Sequence, residues 1–119
     1  MTIGEVSEKY DITADTLRYY ERIGLIPPVP RNRNGIRNFD EAACGWVSFV
    51  KCMRAAGVQI EALTEYVSLM QANTGIERRK NILIEQRARL QKQAEHLKAT
   101  IERLDYKIAN YEKLFGNKN

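Results

Sequence analysis

The side chains best equipped for chemistry in this chain are arginines and tyrosines gathered in one stretch, and a cysteine further along. Arg18, Tyr19 and Arg22 fall on one side of a segment that reads as a helix, with Thr13, Asp15 and Thr16 at its start. Arg31, Arg33 and Arg37 then bracket the dipeptide Asn34-Gly35, and no acidic residue stands between Pro27 and Phe39. Guanidinium groups and tyrosine hydroxyls suit phosphate oxygens, and arginine also reads guanine edges in the major groove. Thr13, Asp15, Thr16, Arg18, Tyr19, Arg22, Arg31, Arg33, Asn34 and Arg37 are therefore the candidate contacts to double-stranded DNA. The alternative is a solvated helix face beside a charged loop that guards a β-edge from aggregation. Only the DNA reading predicts a steep loss of affinity with added salt.

Cys52 is the candidate sensor, in the run Phe49-Val50-Lys51-Cys52-Met53-Arg54. A sensing role needs its thiolate. Lys51 and Arg54 point to other sides of the predicted helix, and Ser48, Phe49, Ala55 and Ala56, its neighbours at three and four residues, carry no charge. Cys52 is thus either a thiol activated from another segment or subunit, or a small packed hydrophobe. Cys44 lies eight residues earlier, about 12 Å along the same helix, too far for a disulfide. No Cys-x-x-Cys or Cys/His cluster occurs and His96 stands alone, so neither metal nor cofactor is expected. Carboxylate pairs in a pocket, nucleophile–base arrangements and phosphate-binding glycine loops are all missing, so an enzyme is not expected.

The elements that must position these groups are mainly helical. Thr2-Ile3-Gly4-Glu5 has capping-box spacing and starts a helix over about 2–10 whose buried side is Ile3, Val6 and Tyr10. Thr13 caps a second helix, 13–23, which Gly24 stops; Leu17 and Tyr20 face inward. Two short helices joined by so brief a turn read as a helix-turn-helix. The prolines of Leu25-Ile26-Pro27-Pro28-Val29-Pro30 forbid a helix, and Asn34-Gly35 is a turn dipeptide, so 25–39 reads as a β-hairpin wing. Helices follow over 40–56, with Trp46, Phe49, Val50 and Met53 as core, and over 60–72, with Leu63, Val67 and Met70 on one side. Residues 1–74 are thus a winged helix-turn-helix head.

From Ile76 the texture changes. Ile76, Leu83, Leu90, Leu97, Leu104 and Tyr111 recur every seventh residue, and Lys80, Arg87, Ala94, Ile101, Ile108 and Phe115 fill the intervening positions. These are the d and a series of a coiled coil over 76–115, followed by a short tail, 116–119. Such a stripe needs a second helix, and another copy of the chain is the simplest partner. The dimerisation residues are Leu83, Leu90, Ala94, Leu97, Ile101, Leu104, Ile108, Tyr111 and Phe115. Tight contact is expected from about Leu90 to Phe115, while the half bearing Lys80 and Arg87 is free to lie against the head. The net charge of +4 over 119 residues agrees with an anionic partner, and no apolar run approaches the length that spans a bilayer. A cytoplasmic protein with no membrane partner is expected.

The run Leu17-Arg18-Tyr19-Tyr20-Glu21-x-Ile23-Gly24-Leu25-Ile26-Pro27, then Arg31, then Asn34-Gly35-Ile36-Arg37-Asn38-Phe39, resembles the signature of MerR-family transcriptional regulators. The resemblance spans head, wing, helix pair and long helix. It implies an antiparallel homodimer on a pseudo-palindromic operator inside an overlong promoter spacer. The inducer-bound dimer of that family bends and untwists the DNA, acting on RNA polymerase indirectly through the shared promoter. Gln59 replaces the family's frequent serine cap, and Cys44 its usual leucine, which favours Cys44 as a small core residue. No added ligand-binding domain is expected after the long helix, and the segment around Cys52 is similar to the lone sensor cysteine of the NmlR/AdhR-type branch, which responds to aldehydes and other electrophiles. Rival readings are an excisionase-like architectural DNA-binding protein, a coiled-coil protein whose head binds protein, and a MerR-type regulator without thiol sensing.

Overall fold

The structure is a computed structural model that describes residues 1–116. Its order is α1 (Ile3–Tyr10), α2 (Ala14–Ile23), a wing, α3 (Glu41–Ala55), α4 (Ile60–Gln71), α5 (Ile76–Ala109) and α6 (Tyr111–Phe115). The chain divides into two compact units, Met1–Gln86 and the part from Arg87 onward, and α5 contributes residues to both.

Local chemistry accounts for the helix starts in the first unit. Thr2 and Glu5 form the reciprocal capping box of α1, with Glu5 N donating to Thr2 Oγ1 over 3.1 Å and Thr2 N to Glu5 Oε1 over 2.8 Å. Thr13 caps α2 and Asp40 caps α3, each accepting from the backbone N–H three residues on. Gln59 gives α4 no side-chain cap; its amide oxygen instead accepts from Gln86 Nε2 at 3.4 Å. Asp11, at φ 53°, closes α1 in the left-handed region, and Gly24, at φ 82°, closes α2. A side chain on Gly24 would be strained, whereas Asp11 tolerates the conformation through its short polar side chain.

The core of this unit is Val6, Leu17, Val47, Val50, Leu63 and Val67, joined by Leu25, Ile26, Val29 and Phe39. Those last four belong to the stretch expected only as a wing. Fully burying such side chains stabilises by about 1.5–3 kcal/mol each, so the base of the wing is part of the hydrophobic core. The inner stripe of α3 is Ala43, Val47 and Val50, at i, i+4 and i+7. Trp46, Phe49 and Met53, expected in the core, are only half-buried. Trp46 and Phe49 form an edge-to-face pair at 5.9 Å, and Phe49 stacks on Tyr66 of α4 at 6.2 Å. The compact β-branched stripe fills the space under α3, leaving the larger rings at its margin. Met70 likewise stands exposed at the end of α4 rather than inside.

The wing is a minimal hairpin: one antiparallel bridge joins Arg31 to Arg37, with Asn32 N donating to the Ile36 carbonyl at 2.8 Å and Asn38 N to the Pro30 carbonyl at 2.7 Å. Its turn is closed by Gly35 N donating to the Asn32 carbonyl at 3.0 Å, with Gly35 at φ 76°, while Asn34 keeps a negative φ. The turn is thus centred one step earlier than a two-residue Asn-Gly loop, because Asn32 Oδ1 accepts from both Asn34 N and Ile36 N. One expectation about regular structure is corrected: the long helix is not continuous to residue 115. It breaks at Asn110, whose φ is −107° and ψ 12° and whose Nδ2 donates to the Tyr106 carbonyl at 2.8 Å. This local side-chain bond competes with the helical ladder. Tyr111 and Phe115 therefore do not extend a straight seam; their rings meet at 4.9 Å, with Lys107 Nζ 5.8 Å from the Phe115 ring centre. Of the expected tail, residues 117–119 lie outside the described part.

The first turns of α5 bury Ile82 and Gln86, which lie off the heptad seam, while the seam residues Ile76 and Leu83 stay exposed. Arg78 fixes this arrangement with two 2.8 Å bonds to the Glu65 carboxylate of α4 and a third contact to Glu85. The Arg78 hydrogen bonds hold Glu65 below its ordinary carboxylate range.

Candidate nucleic-acid interface

The interface is built on α2. Burying Leu17 turns the opposite side of the helix outward, and Arg18, Tyr19 and Arg22 are exposed there. Arg18 Nη1 lies 2.9 Å from Asp15 Oδ1, and the Arg22 guanidinium stands 5.3 Å from the centre of the Tyr19 ring. These contacts hold two cations extended along one helix face. Both remain solvated, so the Asp15 pair contributes little stability. At the N-terminus of α2, Thr13 Oγ1 accepts from Thr16 N and donates to Thr16 Oγ1 at 2.8 Å. The helix dipole and these hydroxyls face the same end, which suits an anionic oxygen.

In the wing, Arg33 and Asn34 are exposed at the tip, and Arg31 Nη1 donates to the Gly35 carbonyl at 2.7 Å, which stiffens the turn. Arg37 is placed differently. Its Nε lies 2.6 Å from Glu21 Oε1, and the side chains are 23% and 15% exposed respectively. Glu21 Oε2 accepts from Val29 N at 2.8 Å. One carboxylate of α2 thus holds both limbs of the wing, and Arg37 serves first as an anchor. Burial pushes the Glu21 carboxyl up, but the Arg37 hydrogen bond, the Val29 N–H and the charges of Arg37 and Arg31 outweigh it and hold the group below its ordinary value.

Sequence reasoning missed Glu21 as a functional residue. The signal was present: between Asp15 and Asp40 it is the one acidic residue, set among Arg18, Arg22, Arg31, Arg33 and Arg37. A lone carboxylate inside a cationic stretch is a candidate organiser. Replacing it with glutamine, Glu21→Gln, is expected to destabilise the head by about 1–2 kcal/mol, between the values for exposed and for buried ion pairs. Because the folded-state pKa is depressed, the stabilisation is complete above the ordinary carboxylate value and is lost as pH falls through the lower folded value. Thermal melts of parent and variant from pH 7 to pH 3 should therefore converge at the acid end. Parallel curves would show that the clamp contributes nothing.

The two cysteines are free. Cys44 is half-buried, with Sγ 3.8 Å from the Met1 Sδ and from the Phe39 carbonyl. Cys52 is exposed on α3, so within a single chain it does not act as a packed hydrophobe. Its neighbouring cations are engaged elsewhere: Lys51 Nζ donates to the Tyr10 carbonyl at the end of α1, and Arg54 Nη1 to the Val58 carbonyl at 2.6 Å. Among the described residues no helix is long and apolar enough to cross a membrane, and no group of three His, Cys, Asp or Glu could hold a metal ion.

Comparison with known proteins agrees with this arrangement. Residues 2–39, which span α1, α2 and the wing, match the family model described as MerR family regulatory protein. The chain is 53% identical over 91 residues to the HTH-type transcriptional regulator AdhR of Bacillus subtilis, a match covering 76% of this chain and 65% of that protein. It is 30% identical to an uncharacterized HTH-type transcriptional regulator of Haemophilus influenzae, covering 94% of this chain and 84% of the relative. Among solved structures, it resembles HiNmlR, a MerR family regulator lacking the sensor domain and bound to promoter DNA. The TM-score is 0.85 at 30% identity, over 97% of this chain and 94% of that one. The capped helix pair, the anchored basic wing and these likenesses lead to one assignment: the chain belongs to the MerR family of regulatory proteins.

Proposed function

We propose that two copies of this chain form a sequence-specific transcriptional regulator that grips double-stranded promoter DNA at a pseudo-palindromic operator and bends and untwists it. The observation that carries this reading is the concentration of cations in α2 and the wing. Five arginines stand there against two carboxylates, Asp15 at the start of α2 and Glu21, which is spent on holding the wing to the helix. Arg18 and Tyr19 would contact bases and phosphates from α2, with Thr13, Asp15, Thr16 and Arg22 around them, while Arg31, Arg33 and Asn34 reach from the wing. HiNmlR, similar over nearly the whole chain, was captured on promoter DNA. RNA polymerase would be affected through the shared promoter, in the cytoplasm, rather than by contact.

Pairing is supported by α5. Leu97, Ile101, Leu104 and Ile108 are 50–71% exposed in the single chain, an apolar line that water alone covers poorly. Leu83, Leu90 and Ala94 continue it on the same helix. A response to electrophiles through Cys52 is favoured by that residue's exposure, and any thiolate activation would come from another segment or the partner subunit. One experiment addresses both points. Footprinting on the DNA flanking its own coding sequence is expected to protect a pseudo-palindrome. A thiol-reactive aldehyde should alter the cleavage pattern within it for the parent but not for Cys52→Ser. No protected site anywhere in that DNA would refute the regulator reading, and an unchanged aldehyde response in Cys52→Ser would remove the sensor.

A further inference from the structure

Asn34 is the one asparagine of the chain that glycine follows. In such a pair the backbone nitrogen of the glycine can attack the side-chain carbonyl carbon of the asparagine. Glycine has no Cβ to hinder the approach and reaches backbone angles that other residues avoid. Every other internal asparagine precedes a residue with a side chain. The wing adds two conditions of its own. Asn34 is exposed at the tip, and its side chain has no hydrogen bond to any described residue. Nothing stands within 4 Å of where a Gly35 Cβ would be, so the attacking nitrogen is uncrowded.

What opposes the reaction is equally local. Gly35 N, the attacking atom, donates to the Asn32 carbonyl at 3.0 Å. Asn32 Oδ1 accepts from Asn34 N at 2.9 Å and from Ile36 N at 3.1 Å, one on each side of Gly35. While these three bonds hold, Gly35 N is directed at residue 32 and not at the Asn34 side chain. The turn must open locally before a ring can close, and Asn32 sets how often it does.

We propose that Asn34-Gly35 is a site of spontaneous deamidation that weakens the wing's hold on DNA, and that Asn32 is the residue that slows it. Gly35 N gives up its proton and bonds to Asn34 Cγ; the bond from Cγ to the side-chain nitrogen breaks, and ammonia leaves. Water then opens the five-membered imide at either carbonyl. One water is consumed and one ammonia released, with no oxidation or reduction, and residue 34 becomes aspartate or its β-linked isomer. Either product sets a carboxylate beside Arg33, in a wing with no acidic residue between Pro27 and Phe39. The isomer also lengthens the backbone of the turn by one carbon. The phosphates that the wing arginines would meet repel this new anion. The effect on DNA rests on the regulator reading above; the reaction itself does not.

Full-length protein aged without DNA at mildly alkaline pH should gain the mass of an amide-to-acid exchange. Peptide mapping should place it at Asn34, as aspartate and isoaspartate. Asn32→Ala should convert about fivefold faster or more, having lost two of the three bonds. Asn34→Gln, whose longer side chain closes its ring slowly, should keep its mass. Affinity for a duplex taken from the DNA flanking the coding sequence should fall roughly tenfold as the parent converts. That of Asn34→Gln should stay at its own starting value. No conversion at Asn34, or conversion of Asn32→Ala at the parent's rate, would overturn the proposal. Conversion that leaves affinity unchanged would overturn its consequence for DNA. Fresh protein that binds no duplex would refute the regulator reading and with it that consequence, and the mass alone would then decide the site.

Discussion

Replacing Leu97 and Ile101 together with glutamate is expected to convert the protein to monomers and to lower its affinity for an operator by about 10²–10⁴-fold. The loss follows from linkage rather than from any contact with DNA. A dimer presents its second head to the second half-site at an effective concentration set by the rod between them, and a monomer forfeits that gain. Both side chains are half or more exposed in the single chain, so the substitution removes nothing that the first unit needs. The head should keep its melting behaviour, while a long helix without a partner loses much of its helicity. Sedimentation and fluorescence anisotropy on the same samples decide the matter. A variant that stays dimeric, or a monomer that binds as tightly as the parent, would contradict the proposed role of α5.

Arg18→Ala is expected to have an effect of comparable size by a different route. A guanidinium reaching a base edge or a phosphate is worth about 1–3 kcal/mol of binding per half-site. Two half-sites make about 2–6 kcal/mol, roughly 30-fold to 10⁴-fold. Stability should move little, since Arg18 is about half exposed and its one ion pair, with Asp15, is at the surface. Salt titration distinguishes the two kinds of contact. Loss of a phosphate contact at each half-site should flatten the slope of log affinity against log salt by about 0.9 per contact, whereas loss of a base contact lowers affinity and relaxes sequence preference. Arg18→Ala binding as well as the parent would exclude α2 as the reading element.

Much of this architecture is legible in local sequence because local rules fix it. Thr2 with Glu5, Thr13 and Asp40 announce helix starts, Gly24 a stop, and the seven-residue apolar recurrence from Ile76 a long helix with one apolar stripe, each through interactions spanning a few residues. The candidate DNA face was legible for the same reason, since burying Leu17 dictates where Arg18 and Arg22 point. Contacts between distant residues were decided only by the fold. The Glu21 clamp joins residues eight and sixteen positions apart, and nothing in helix periodicity states that its carboxylate turns toward the wing. Trp46 and Phe49 look like core by spacing, yet Val47 and Val50 fit the space beneath α3 and leave the rings to meet Tyr66. Ile82 and Gln86 sit off the seam and are nevertheless buried, and Asn110 ends the straight run through a side-chain bond to Tyr106. Periodicity tells which side of an element is apolar; which neighbour covers that side depends on volume and on long-range hydrogen bonding, and those exist only once the chain has folded.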